Sequence, residues 1–154
     1  FIHDQFEDRY ISTLGAKVSK KELTVKSPAG AGEIAIDMTI WDIMGEKGFR
    51  ELLKEAYFHG AQGVLAVCDI TRKDTLNELH DWIAAVHKVT GQIPIQFLAN
   101  KADLVKQAAM SEDDMKKVAD VHKSPFLYTS AKNGQNVEAG FQSLASMIAA
   151  KSAK

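Results

Sequence analysis

Three short apolar runs, GVLAVCDI, IPIQFLAN and PFLYTS, alternate with stretches of helical periodicity, and this alternation limits the possible folds most. Strands separated by helix-length connections pair in parallel, because each crossover returns the chain to the same sheet edge. The preceding pair, KKELTVKS and EIAIDMTIWD, alternates apolar and polar residues on either side of the turn cluster PAGAG. Leu23 and Val25 share one face, and Ile34, Ile36, Met38 and Ile40 share another, so an antiparallel hairpin is expected. FRELLKEAYFHG reads as a helix stopped by Gly60, and GVLAVCDI as a continuously buried strand. Thr71 with Asp74 and Ser111 with Asp114 have capping-box spacing before two helices, and Asn136 is placed to cap the last one. The class expected is α/β: a doubly wound, mainly parallel sheet with one antiparallel hairpin strand.

The chain has 154 residues, enough for one domain with a substantial core. Nineteen basic residues against twenty acidic ones leave a net charge of −1, which argues against a general nucleic-acid binder. The single cysteine, Cys68, excludes an internal disulfide and sits in an apolar run, where inert burial is expected. No apolar run approaches membrane-spanning length and no signal peptide is visible, so the expected location is cytoplasmic. The tail MIAAKSAK has no cysteine for a prenyl anchor on this chain. The opening FIHDQFEDRY reads as the end of an amphipathic helix begun upstream, so a single, N-terminally incomplete domain over 1–154 is expected.

Polar residues gather where the strands end, the edge at which open α/β sheets bind ligands. PIQFLANKADL ends its apolar run in Asn100, Lys101 and Asp103; WDIMGE brings Asp42 and Gly45; TSAK brings Ser130, Ala131 and Lys132. DRYISTLG adds Tyr10, Ser12 and Thr13. Each cluster taken singly reads equally well as ordinary turn and capping chemistry. Their shared edge suggests one ligand. A carboxylate can accept from two adjacent N–H groups, and guanine offers that pair where adenine does not, so Asp103 can select guanine. Asn100 can tether the loops, the Lys101 stem can lie over the base, and the Ala131 amide can meet the guanine O6. Asp42 can hold Mg²⁺ through water and Thr13 directly, while Gly45 lets an amide approach a γ-phosphate.

With these motifs in this order, the chain resembles the Ras-like small GTPases, most closely the Rab branch. FEDRYISTLG resembles their first switch, and WDIMGEKGFRELLKEAYFHGAQGVLAVCDIT their second switch and the strand after it. The resemblance runs from Phe1 to the last helix. It implies a P-loop GTPase-like fold, GTP/GDP and Mg²⁺ as ligands, and slow GTP hydrolysis. It implies Phe6 against the guanine edge and Tyr10 covering the nucleotide. Leu14, Trp41 and Tyr57 would belong to a surface for effector and regulatory proteins, the alternative for Trp41 and Tyr57 being core or half-exposed packing.

Three features depart from the family pattern. The first strand and the G-x-x-x-x-G-K-[ST] loop are absent from this chain, and the resemblance puts that strand at the centre of the sheet. Glu46 stands where the family has glutamine, so a carboxylate rather than an amide would orient the attacking water. Met44 replaces the usual alanine. Two functions therefore stay open: a nucleotide-switch enzyme with Glu46 and Gly45 at the reacting phosphate, or a non-catalytic interaction module that keeps the fold without binding nucleotide.

Overall fold

The computed structural model describes residues 16–30, 32–43 and 56–153. Strands β1 (Ala16–Lys26) and β2 (Glu33–Ile43) form the antiparallel hairpin, in a register that sets Leu23 opposite Ile36 and Val25 opposite Ile34. Its turn closes through bonds from Ser27 N to Gly32 O at 3.0 Å and from Gly30 N to Ser27 O at 3.1 Å. Gly30 and Gly32 have φ of 93° and 86°, which glycine adopts without a Cβ penalty.

A second sheet holds β3 (Val64–Asp69), β4 (Ile95–Asn100) and β5 (Phe126–Tyr128), parallel and in the order β3-β4-β5. Helices α1 (Lys73–Thr90), α2 (Glu112–Val121) and α3 (Val137–Ser152) make the connections and the C-terminal layer. The doubly wound, mainly parallel α/β reading with its antiparallel hairpin holds. Among the described residues the two sheets are not hydrogen-bonded to each other.

The main core lies between the parallel sheet and α1–α2. Leu76, Leu79 and Ile83 of α1 and Met115 and Val118 of α2 meet Ala66, Cys68, Ile95 and Phe97. Fully burying one such aliphatic side chain contributes about 1.5–3 kcal/mol. A second cluster joins Leu23 and Val25 of the hairpin to Phe141, Ala145 and Ala149 of α3. Helix α3 thereby connects the hairpin to the parallel sheet. Lys21 reinforces the link by pairing with Glu138 at 2.8 Å, and Gln142 Nε2 donates to Thr24 O at 2.5 Å.

Several local expectations hold and others are corrected. Ser111 and Asp114 form the capping box: each side chain accepts from the other residue's backbone N–H, at 3.2 and 2.8 Å. Thr71 and Asp74 do not. The Thr71 hydroxyl donates to the Asp69 carboxylate at 2.7 Å, Asp74 pairs with Arg72 at 2.9 Å, and the N-cap of α1 is Arg72. Asp69, two residues away, takes the Thr71 backbone N–H at 2.9 Å, the donor that Asp74 would accept in a capping box. Asn136 occupies the N-cap position of α3 with φ of 54°, but its side chain makes no cap bond and donates instead to Tyr128 O at 2.8 Å. The run at β3 is not continuously buried. Ala66 and Cys68 are, whereas Val67 on the opposite face is 50% exposed. The helix read over residues 49–60 falls mostly outside the described residues; residues 56–58 are helical and Gly60 follows at φ of 79°.

Candidate functional site

The carboxyl edge of β4 and the loop after β5 are bound together by one side chain. Asn100 Oδ1 accepts the Ala131 N–H at 3.0 Å and the Thr129 hydroxyl at 3.3 Å. The backbone adds Thr129 N to Ala99 O and Ala102 N to Thr129 O, both 2.9 Å. Lys101 makes the turn between them in the left-handed conformation, with φ of 67° and ψ of 36°. Asp103 then opens the short 3₁₀ segment Ala102–Gln107. Its Oδ1 accepts the hydroxyl of fully buried Ser130 at 2.6 Å, the short length of a charge-assisted O–H···O⁻ bond. Asn100, Lys101, Asp103, Ser130 and Ala131 therefore form one cluster drawn from two loops. Lys132 is exposed on the same loop.

Asp69, at the end of β3, joins this cluster and is not marked by any of the sequence motifs. It is the register partner of Asn100 on the neighbouring strand. Its Oδ2 meets Lys101 Nζ at 2.6 Å, and its Oδ1 accepts the Thr71 N–H at 2.9 Å and the Thr71 hydroxyl at 2.7 Å. Burial pushes the Asp69 carboxyl up. Lys101 and the two Thr71 donors outweigh that and hold it below the usual carboxylate value. The available signal is the D-x-T spacing at a strand end, which favours a local turn closed by the aspartate.

The remaining described candidates lie elsewhere. Asp42 is an exposed residue of β2, opposite Lys17 in register and in the other sheet from the cluster. Among the described residues no group of three or more histidine, cysteine, aspartate or glutamate side chains is arranged to hold a metal. Trp41, 48% exposed, meets Tyr57 edge-on with ring centroids 5.6 Å apart. Phe6, Tyr10, Thr13, Leu14, Met44, Gly45 and Glu46 lie outside the described residues. Cys68 is buried, and burial first, then the Asp69 charge, pushes its thiol up to about 12, so it is inert as a nucleophile.

The Ras family model matches residues 1–150 of this sequence. The chain belongs to the Ras family. Ras-related protein RABD2c of Arabidopsis thaliana is 34% identical over 149 residues, covering 96% of this chain and 70% of the relative. Ras-related protein Rab-1D of Dictyostelium discoideum is 32% identical over 146 residues, covering 94% and 68%. The GTP-binding protein YPTM2 of Zea mays is 32% identical over 149 residues, covering 96% and 70%. These relatives support a small-GTPase switch role closest to the Rab branch. Ras family membership implies, in general terms, guanine-nucleotide and Mg²⁺ binding and protein effectors and regulators. Among the described residues no helix is long and apolar enough to cross a membrane.

Proposed function

We propose that this chain is a guanine-nucleotide switch of the Ras/Rab type whose base-reading half is the Asn100–Asp103 and Ser130–Lys132 cluster. The observation that carries the proposal is the joining of the two loops, Asn100 to Ala131 and Asp103 to Ser130, at the carboxyl edge of a parallel sheet. The donor set fits guanine. Asp103 is an acceptor carboxylate with Oδ1 held by Ser130. Its two oxygens match the two adjacent N–H groups of guanine. The Ala131 amide supplies a donor for O6, shared with or released from Asn100 when the base binds. The Lys101 stem covers the base plane, with Phe6 and Tyr10 closing the nucleotide from the first switch.

Thr13 and Asp42 would hold Mg²⁺, which supplies charge neutralisation at the phosphates. Gly45 would offer its amide to the γ-phosphate, and Glu46 would accept a hydrogen bond from the attacking water. Release of Thr13 and Gly45 after hydrolysis would reorder the two switches, read by effector and regulatory proteins through Leu14, Trp41 and Tyr57. The relatives lend no support to the alternative of a non-catalytic module. The domain is read as a single one over 1–154. Competition binding with Asp103→Asn tests the base assignment. The variant should weaken GTP binding and gain xanthosine triphosphate, whose N2 position carries oxygen. Unchanged guanine preference would remove Asp103 from this role.

A further inference from the structure

We infer that Asp69 is a positioning residue for guanine recognition, acting through Lys101. The inference rests on the base-reading assignment above and extends it to a residue on a different strand. Lysine is poorly suited to covering a flat ring unless something holds its far end, because its four-carbon stem has many rotamers to lose. Here the far end is held. Lys101 is half exposed along its length, yet its ammonium is 2.6 Å from Asp69 Oδ2, and the Asp69 side chain is only 13% exposed. Asp69 itself cannot swing away, because its other oxygen accepts both Thr71 donors. The strand register supplies the rest: Asp69 lies beside Asn100, and Ile70 N donates to Asn100 O at 3.1 Å. The left-handed Lys101 backbone, the Asn100 tether and the Asp69 anchor thus converge on one residue.

Two consequences separate this from a general structural role. First, the Lys101 charge is already neutralised by Asp69, so Lys101 contributes an ordered apolar stem rather than attraction to phosphate. Losing Asp69 should then affect di- and triphosphate alike. Second, the effect of Asp69 should disappear once the Lys101 ammonium is gone.

The test is a double-mutant cycle in the full-length native protein, using mant-GDP and mant-GTP with Mg²⁺ and reading affinity and dissociation rate. Asp69→Asn keeps an acceptor for Thr71 and faces a donor toward Lys101. It should raise the dissociation rate of both nucleotides about tenfold, the scale on which outer supports act in other preorganised sites. Lys101→Met, which keeps the stem and removes the charge, should produce a similar change, and adding Asp69→Asn to it should produce no further one. If the parent protein binds neither nucleotide, the base-reading assignment falls and this inference falls with it. If the parent binds and Asp69→Asn dissociates within twofold of it, only the inference about Asp69 is overturned. An effect of Asp69→Asn that is equally large with and without Lys101→Met would also overturn it, since it would mark a purely structural role. Should Asp69→Asn fail to fold, Lys101→Met decides: dissociation within twofold of the parent rejects the anchor.

Discussion

Asn100 accepts the Ala131 N–H at 3.0 Å, so a side chain at the end of one parallel strand fixes the backbone of the loop after the next. Removing that acceptor leaves the Ala131 amide and the buried Thr129 hydroxyl to find other partners. Asn100→Ala should lower stability by about 1–3 kcal/mol, the cost of leaving buried donors unsatisfied. Urea unfolding of the parent and the variant checks it. The same variant should bind GDP more weakly, because both base-reading loops lose their common anchor. Unchanged stability would show that the loops are held by the backbone bonds without Asn100.

A second prediction concerns a buried amide far from the site. Gln96 is fully buried in β4, where Nε2 donates to Phe97 O at 3.0 Å and to Pro125 O at 3.3 Å. Its Oε1 accepts the Ser143 hydroxyl of α3 at 2.5 Å. Ser143→Ala should destabilise the fold by roughly 1–3 kcal/mol, since it strands a buried acceptor. Gln96→Leu combined with Ser143→Ala should be milder than Ser143→Ala, because both polar partners then leave together. Thermal unfolding of Ser143→Ala, Gln96→Leu and the double variant separates these outcomes, and a double variant as damaged as the sum of its parts would contradict the account.

Acid should loosen the contact between α1 and the end of α2. His80 Nδ1 and His122 Nε2 are 2.9 Å apart, so one nitrogen donates and the other accepts, and two imidazolium rings cannot share that bond. Burial pushes His122 below its ordinary value of 6.5, and the neighbouring His80 and His87 push it the same way. Below pH 6.5 the unfolded chain therefore binds more protons at this residue than the folded one. Its contribution to stability is complete above that pH and declines as pH falls toward the folded value. The melting temperature should drop between about pH 7.5 and pH 5.5, and the drop should shrink in His122→Phe. An identical pH slope in that variant would assign the acid sensitivity elsewhere. Asp69 behaves differently: its lowered value keeps its contribution intact until pH falls below 3.8.

Hydrolysis supplies the last prediction. With Glu46 proposed to orient water at the γ-phosphate, Glu46→Ala should slow single-turnover GTP hydrolysis at saturating Mg²⁺. A positioned group of this kind contributes about 10²–10⁴-fold. Single-turnover conditions keep nucleotide release from masking chemistry. An alanine variant as fast as the parent would mean that another group, or a partner protein, orients the water.

The hairpin was legible because period-two alternation of Leu23 and Val25 against Ile34 and Ile36 has one face to bury. The Ser111–Asp114 box was legible because both of its bonds are made within four residues. The same spacing at Thr71 and Asp74 misled, since Asp69 takes the Thr71 N–H that Asp74 would accept in a box. Val67 misled for another reason. Composition cannot show that one face of β3 is left half open while Ala66 and Cys68 on the other are covered by α1 and α2.

By itself the sequence determined the order of elements, the strand ends at which polar residues surface, and the residue types placed there. These depend on local periodicity and on short-range chemistry. Tertiary structure alone decided which polar groups far apart in the sequence became partners. Asp69 and Lys101 are 32 positions apart, too far for any local pattern to join them. They meet because the parallel register sets Asp69 beside Asn100 and the left-handed turn follows at once. Ser130 reached Asp103, and Ala131 reached Asn100, through the same packing of β5 against β4. A hydrogen bond falls off within a fraction of an ångström and a few tens of degrees, so the choice among several eligible donors is made only when the strands are in place.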